Sequence, residues 1–205
     1  IITIIIVQVL LLMAADIRAK QNLETLSGQI ENSFNAEINK SYRQLEQLDT
    51  LIKNNPLSLE FYEVNNTGKY DVSDIIKKYY RDHKDKDSLY YNFNRVSWIN
   101  SDGEQVIKGQ TETSKPVFTN VSSRSYFQVF YHSEGYTVPG RPEARFGLEP
   151  VNSLTNGDFS IIISKKDQQK KGWVITISTP MYAVLKTIMP PGFGFCIADD
   201  EGRVL

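Results

Sequence analysis

From Asp16 to Asn54 the chain has no proline, and Gly28 is the single glycine in that stretch. Apolar residues recur along it at Leu23, Leu26, Ile30, Phe34, Ile38, Tyr42, Leu45, Leu48 and Ile52. Steps of three and four place these side chains on one face of a helix, while Lys, Glu, Gln, Asn and Arg fill the solvated face. Pro56 disfavours helix at Asn55, and the Asn54-Asn55 pair suits a C-terminal cap. The pattern therefore predicts one unbroken amphipathic helix over 16–54. Its apolar face requires a partner, either the chain's own domain or a second helix. The expectation is a mixture, with a projecting stalk first and domain packing further along.

The segment before this helix, IITIIIVQVLLLMAA, carries no charge, and only Thr3 and Gln8 are polar. A bilayer's hydrocarbon core needs roughly 20 predominantly apolar helical residues, and this run is somewhat shorter. It reads as the outer end of a transmembrane helix over residues 1–15 that continues into the stalk. The other reading is the apolar region of a signal peptide, with Met13-Ala14-Ala15 near the cleavage site. The first reading puts the chain in the cell (inner) membrane, anchored by its N-terminal helix, with residues from about Asp16 onward extracytoplasmic.

Composition restricts the function classes. With 205 residues and 40% apolar content, the chain suits one domain plus an anchor. A formal net charge of −1 gives nucleic acid no electrostatic purchase. The single Cys196 excludes an internal disulfide framework and a multi-cysteine metal site, and two histidines, His83 and His132, are too few for a histidine zinc centre. No GxSxG, HExxH, phosphate-loop or dinucleotide fingerprint is present. The expectation is a non-catalytic chain without cofactor or metal.

Beyond the long helix the periodicity changes. Asp71 to His83 reads as a short helix, with Ser73 as N-cap and an apolar stripe of Ile75, Ile76, Tyr79 and Tyr80. YYNFNRVSWINSDGEQVIKG alternates apolar and polar residues on either side of Asp102-Gly103, a hairpin signature. Further strands fit Phe159 to Ser164 and Trp173 to Ser178, joined by a lysine-rich polar loop. Between the second and third strands lies a long segment, read as irregular except for a short helix at Ser122 to Phe130. So long a connection usually serves as a binding loop. It concentrates Arg124, Tyr126, Phe127, Tyr131, Tyr136, Arg141 and Arg145. Arginine holds carboxylates in two parallel bonds, and tyrosine adds a flat apolar face with a hydroxyl, which together suit capture of a small anionic or zwitterionic solute. The same aromatic residues would equally fill the space between helix and sheet, with Arg124 at the surface.

The order of these elements carries a resemblance. An apolar N-terminal segment, a long helix, WINSDGEQVIKG, VSSRSYFQ, LTNGDFSIIISKK and WVITISTPMYAV follow one another as in the Cache family, the extracytoplasmic sensor modules of bacterial transmembrane receptors. The element Arg124-Ser125-Tyr126-Phe127 is similar to the family's Arg-x-aromatic-aromatic motif, and Thr155-Asn156-Gly157 to its Thr-x-Gly turn. The resemblance implies an α+β fold, a PAS-like antiparallel sheet packed against the long N-terminal helix. It implies a membrane-distal module over 55–190, and in PPGFGFCIADDEGRVL the start of a second, membrane-proximal module over 191–205. The last residues would otherwise close a single module.

For the site, the resemblance implies that Arg124 meets the solute's carboxylate and that Tyr126 and Phe127, with Tyr131, surround its body. Asn152 stands where an acidic partner for an ammonium group is expected. The implied function is a ligand-sensing ectodomain for a carboxylate or amino-acid-like solute, in a receptor of the histidine kinase (two-component), chemoreceptor (chemotaxis) or diguanylate cyclase type. A homodimer through the long helix is implied as well. The alternative is a structural, dimerising or protein-binding ectodomain with no small-molecule ligand.

Overall fold

The computed structural model of the chain describes residues 2–56, 68–84, 93–133, 135–152 and 159–180, with 196 and 198 singly. Helix α1 spans Ile2–Lys53 without interruption. There follow β1 (Tyr70–Asp71), α2 (Ser73–Lys84), β2 (Arg95–Ile99), β3 (Gln105–Gln110), α3 (Ser125–His132), β4 (Tyr136–Val138), β5 (Arg141–Asn152), β6 (Phe159–Lys166) and β7 (Val174–Thr179). The strands form one seven-stranded sheet in the order β1-β3-β2-β7-β6-β5-β4. Among the described strands only the β1–β3 pair is parallel. The molecule is thus α+β, a long N-terminal helix packed on a mostly antiparallel sheet.

The expected hairpin around Asp102-Gly103 joins β2 to β3. Gly103 adopts a positive φ of 78°. Asn100 Oδ1 accepts from the backbone N–H groups of Asp102 and Glu104 at 3.0 and 2.9 Å, closing the turn. The short helix expected over 71–83 is α2, but its first turn is capped differently from expectation. Asp71 Oδ1 accepts from the Ser73 N–H at 2.8 Å, while the Ser73 hydroxyl accepts from the Gln110 N–H at 3.2 Å and ties α2 to β3.

The segment read as irregular holds two strands, β4 and β5. Ala144, Phe146 and Leu148 alternate into the core, but the charged residues and prolines between them, Pro142, Glu143, Arg145, Glu149 and Pro150, dilute the pattern. Prolines are tolerated here because β4 pairs with β5 only as far as Phe146, leaving Pro150 on an open edge. The motif Thr155-Asn156-Gly157 lies outside the described residues, as does the proposed second module, apart from residues 196 and 198.

Because side chains alternate along strands, the sheet has two distinct faces. One carries Val96, Trp98, Ile107, Phe146, Leu148, Ile161, Ile163, Ile175 and Ile177, which form the main core with Ile38, Tyr42, Leu45, Leu48 and Ile52 of α1. The other carries Ile99, Ile162 and Val174 beneath Tyr126, Phe127 and Phe130 of α3. The apolar face of α1 divides accordingly. Phe34 is partly buried and Ile38 through Ile52 are buried, whereas Leu12, Met13, Ile17 and Leu23 are exposed. Among the described residues no helix is long and apolar enough to cross a membrane.

A buried ionic cluster fixes α1 to the sheet. Asp49 accepts from Trp98 Nε1 at 3.1 Å, from Lys165 Nζ at 3.1 Å and from Lys53 Nζ at 2.9 Å. Lys53 also reaches Asp167 at 3.0 Å. Removing one partner of a buried ion pair leaves an uncompensated charge and costs about 3–5 kcal/mol. Asp49→Ala is therefore expected to lower the unfolding free energy by about that amount, measured by urea denaturation, and Asp49→Asn by less because it still accepts from Trp98.

Candidate functional site

The face of the sheet beneath α3 is polar over much of its area. Arg95 and Ser97 of β2, Gln105 and Lys108 of β3, Ser160 of β6, and Thr176 and Ser178 of β7 line a cavity of about 110 Å³. Tyr126 of α3, Val151 and Ile162 complete its walls. An apolar cavity of about 150 Å³ accommodates benzene, so this one suits a solute of roughly four to six heavy atoms.

Its electrostatics are one-sided. Lys108 is buried, and its ammonium donates to Gln105 Oε1 at 2.9 Å and to the Val117 carbonyl at 2.6 Å. Both acceptors are neutral. Among the described residues no carboxylate pairs with Lys108. Burial first, and the Arg95 charge second, push its pKa down to about 8. Arg95 Nε is buried without a hydrogen-bond partner among the described residues, and Arg95 Nη2 lies 3.6 Å from Glu112 at the partly exposed rim. On β1, Asp71 is turned to the Ser73 N–H. Burial pushes the Tyr126 phenol up to about 12, so it presents a neutral hydroxyl. None of the described residues lining the cavity is acidic.

Helix α3 roofs this face and is anchored at three points. Gly147 of β5 lets it approach closely, since a Cβ there would lie 2.7 Å from Val129 Cγ1 and 2.9 Å from the Tyr126 carbonyl oxygen. Glu149 serves the helix N-terminus, accepting from the Tyr126 N–H at 3.2 Å, and pairs with Arg124 at 2.5 Å. A carboxylate there also suits the positive end of the helix dipole. At the other end the Tyr131 hydroxyl lies 3.2 Å from the Ser101 carbonyl and 3.1 Å from that of Gly172. Ser164 donates to the Tyr126 carbonyl at 2.7 Å.

The structure thus brings Arg124, Tyr126, Phe127 and Tyr131 together on α3 and its N-cap. Tyr126 lines the cavity, Phe127 is buried against Tyr131 with ring centroids 5.1 Å apart, Arg124 is half-exposed on Glu149, and Tyr131 is half-exposed over two turns. Asn152 pairs through its backbone with Phe159, and its side chain lies outside the described residues. Sequence reasoning overlooked Arg95, Gln105 and Lys108. Their only signal was polar residues interspersed among the apolar ones of β2 and β3, which looks like an ordinary solvated face.

A larger, more open cleft of about 390 Å³ lies where α1 meets β5. Both of its arginines are engaged within the fold. Arg141 binds both oxygens of Glu46 at 2.8 and 3.0 Å and sits 5.2 Å from the Tyr42 ring centre, while Arg145 donates to the Pro142 carbonyl at 2.5 Å.

No protein-family model matches the sequence, and no curated protein matches it. Among solved structures, the fold is similar to extracellular sensor domains of histidine kinases and to a chemoreceptor ligand-binding domain. The ligand-binding domain of the Campylobacter jejuni chemoreceptor Tlp3, solved with L-valine, superposes with a TM-score of 0.45 at 17% identity, covering 91% of this chain and 72% of that one. An extracellular domain described as that of a histidine kinase, rpHK1S-Z16, gives 0.41 at 15% identity over 77% of this chain and 58% of that one. Another so described, vpHK1S-Z8, gives 0.45 at 11% identity over 84% and 64%.

Two consequences are measurable. Gly147→Ala should displace α3 and cost about 1–3 kcal/mol of stability through overpacking, read from urea denaturation. Lys108 titrates near 10.5 when unfolded and near 8 when folded, so between those values the unfolded chain binds more protons. Unfolding free energy should therefore gain ~1–3 kcal/mol from Lys108 as pH rises from about 8 to 10.5. Lys108→Met should lack that gain. Comparing the two proteins separates it from Tyr126, whose raised pKa acts in the opposite direction above pH 10.

Proposed function

We propose that the chain is an extracytoplasmic ligand-sensing module of a transmembrane signalling receptor, and that it binds a small carboxylate or amino-acid-like solute between the sheet and α3. The observation that carries this reading is the cavity itself. A sheet face roofed by a helix is normally filled with apolar side chains, because buried polar groups cost free energy unless they are bonded. Here the roofed face keeps two cations, an amide and four hydroxyls around an open volume. Tyr126 touches the solute. Arg124, Phe127 and Tyr131 hold α3 over it, and Asn152 belongs to the same strand as the wall residue Val151.

Residues 1–15 form the outer part of a membrane-spanning helix, and the exposed half of α1 is the stalk that carries the signal. The PAS-like module over 55–190 is membrane-distal and is followed from 191 by a second module. The output partner is a histidine kinase, chemoreceptor or cyclase domain, and the chain itself is not catalytic. Solute binding shifts the receptor between two states by its differential affinity for them.

A second reading is favoured by Leu12, Met13, Ile17 and Leu23, which stand exposed along α1. A helix-mediated homodimer covers such a row, with or without a ligand. Thermal denaturation of the protein against a library of carboxylates, amino acids, purines, sugars and polyamines tests the proposal. At a hundredfold excess over Kd, binding adds about 2.7 kcal/mol, a shift of a few degrees. A folded, dimeric protein stabilised by no compound in the library would reject ligand sensing in favour of a purely structural or protein-binding ectodomain.

A further inference from the structure

We propose that Arg95 and Lys108 form the anion-recognition pair of this cavity, and that they select a small carboxylate lacking an ammonium group over a zwitterionic amino acid. The inference rests on the sensing role proposed above and specifies which end of the solute the sheet reads. Arg95 lies opposite Gln110 and Lys108 opposite Ser97, so the two cations are diagonal neighbours on adjacent strands. That places their Cβ atoms roughly 7–8 Å apart on one face, close enough for two long side chains to converge on a single carboxylate.

Both cations have bonding capacity to spare. Arg95 Nε has no hydrogen-bond partner among the described residues, and Glu112 takes only Nη2. Lys108 is held by one amide oxygen and one loop carbonyl, neither of which carries a charge. Lys108 is buried with no carboxylate partner among the described residues, and Arg95 has only a long, part-exposed contact to Glu112, so an anion between the two cations offsets the cost of their like charge.

The same arrangement discriminates against an ammonium group. The side-chain acceptors lining the cavity among the described residues are neutral: Ser97, Gln105, Ser160, Thr176 and Ser178. Of the neighbouring carboxylates, Glu149 is engaged by Arg124 and Asp71 by the Ser73 N–H, while Glu112 lies at the rim against Arg95 Nη2. A zwitterion would bring a third positive charge into a cavity that already holds two. The volume of about 110 Å³ also suits a two- to four-carbon acid.

The test is calorimetric titration of the full chain in detergent with pyruvate, L-lactate, propionate, glycine, L-alanine and D-glucose. The expected result is binding of at least one of the three acids, with glycine and L-alanine at least tenfold weaker. Arg95→Gln and Lys108→Met should each weaken the acid at least tenfold. Lys108→Arg, which keeps the charge, should stay within a few-fold of the natural protein. Lys108→Met should melt no lower than the natural protein, so a loss of binding is not a loss of fold.

L-alanine binding as tightly as L-lactate, glucose binding in place of the acids, or acid binding that survives Lys108→Met would overturn the anion pair while leaving ligand sensing intact. Failure of every compound in both this panel and the wider library would overturn both.

Discussion

The Asp49 carboxylate is the constraint on which the arrangement of helix and sheet depends. It is buried on α1 yet accepts from one indole and two ammonium groups, which come from β2, β6 and α1 itself. Hydrophobic contact alone lets a helix slide or rotate on a sheet at little cost, because burial is not directional. A carboxylate with three donors at 2.9–3.1 Å is directional. Neighbouring turns of α1 add two further polar contacts, Glu46 with Arg141 of β5 and Gln47 with the Tyr79 hydroxyl of α2 at 2.6 Å. Apolar packing supplies the gross stability, and these contacts set the register.

With α1 covering one face, the opposite face of the same strands is free to differ. Trp98, Ile175 and Ile163 point to α1, while their strand neighbours Ser97, Thr176 and Ser164 point to α3. Helix α3 has eight residues and cannot cover the whole face. It fills one end with Tyr126, Phe127 and Phe130 over Ile99 and Val174, and leaves the other end polar. The cavity exists because a short roof sits on a wide sheet at an offset, and Gly147 and Glu149 set that offset.

How much of this was legible in the sequence follows the strength of each local signal. The long helix, the Asp102-Gly103 hairpin and the strands rich in Ile and Val were legible because each repeats an unambiguous period. Strand β5 was not, since Pro142, Pro150 and the charges between them break the alternation that Ala144, Phe146 and Leu148 carry. On the site, sequence reasoning found the aromatic cluster of α3 because it is dense and local. It missed Arg95 and Lys108, which are separated in sequence and meet only through the pairing of β2 with β3. A lysine on a strand looks solvated until the loop that follows β3, whose Val117 carbonyl it meets, folds back over it. Asp49 was missed for the same reason, being one polar residue on the flank of an apolar stripe.

These magnitudes bear on how a bound solute would act on the stalk. A coupling free energy between two sites is typically about 1–3 kcal/mol. Rupturing a buried ion pair such as Asp49–Lys165 costs about 3–5 kcal/mol, before the Glu46 and Gln47 contacts are counted. Occupancy of the cavity therefore lacks the free energy to slide α1 past the sheet by breaking that cluster. The compatible motion keeps α1, β2, β6 and β7 together as one body and changes what lies on the other side of the sheet. There the contacts are isolated ones, such as Lys108 to the Val117 carbonyl, Tyr131 to the Ser101 and Gly172 carbonyls, and the half-exposed Arg124–Glu149 pair. Such bonds contribute about 0.5–1.5 kcal/mol each, or somewhat more where one partner is charged, which is the scale a small solute can redirect. In this fold directional ionic contacts fix α1 to the sheet, whereas the roof of the cavity rests on isolated ones, so a bound solute would rearrange the roof before it moved α1.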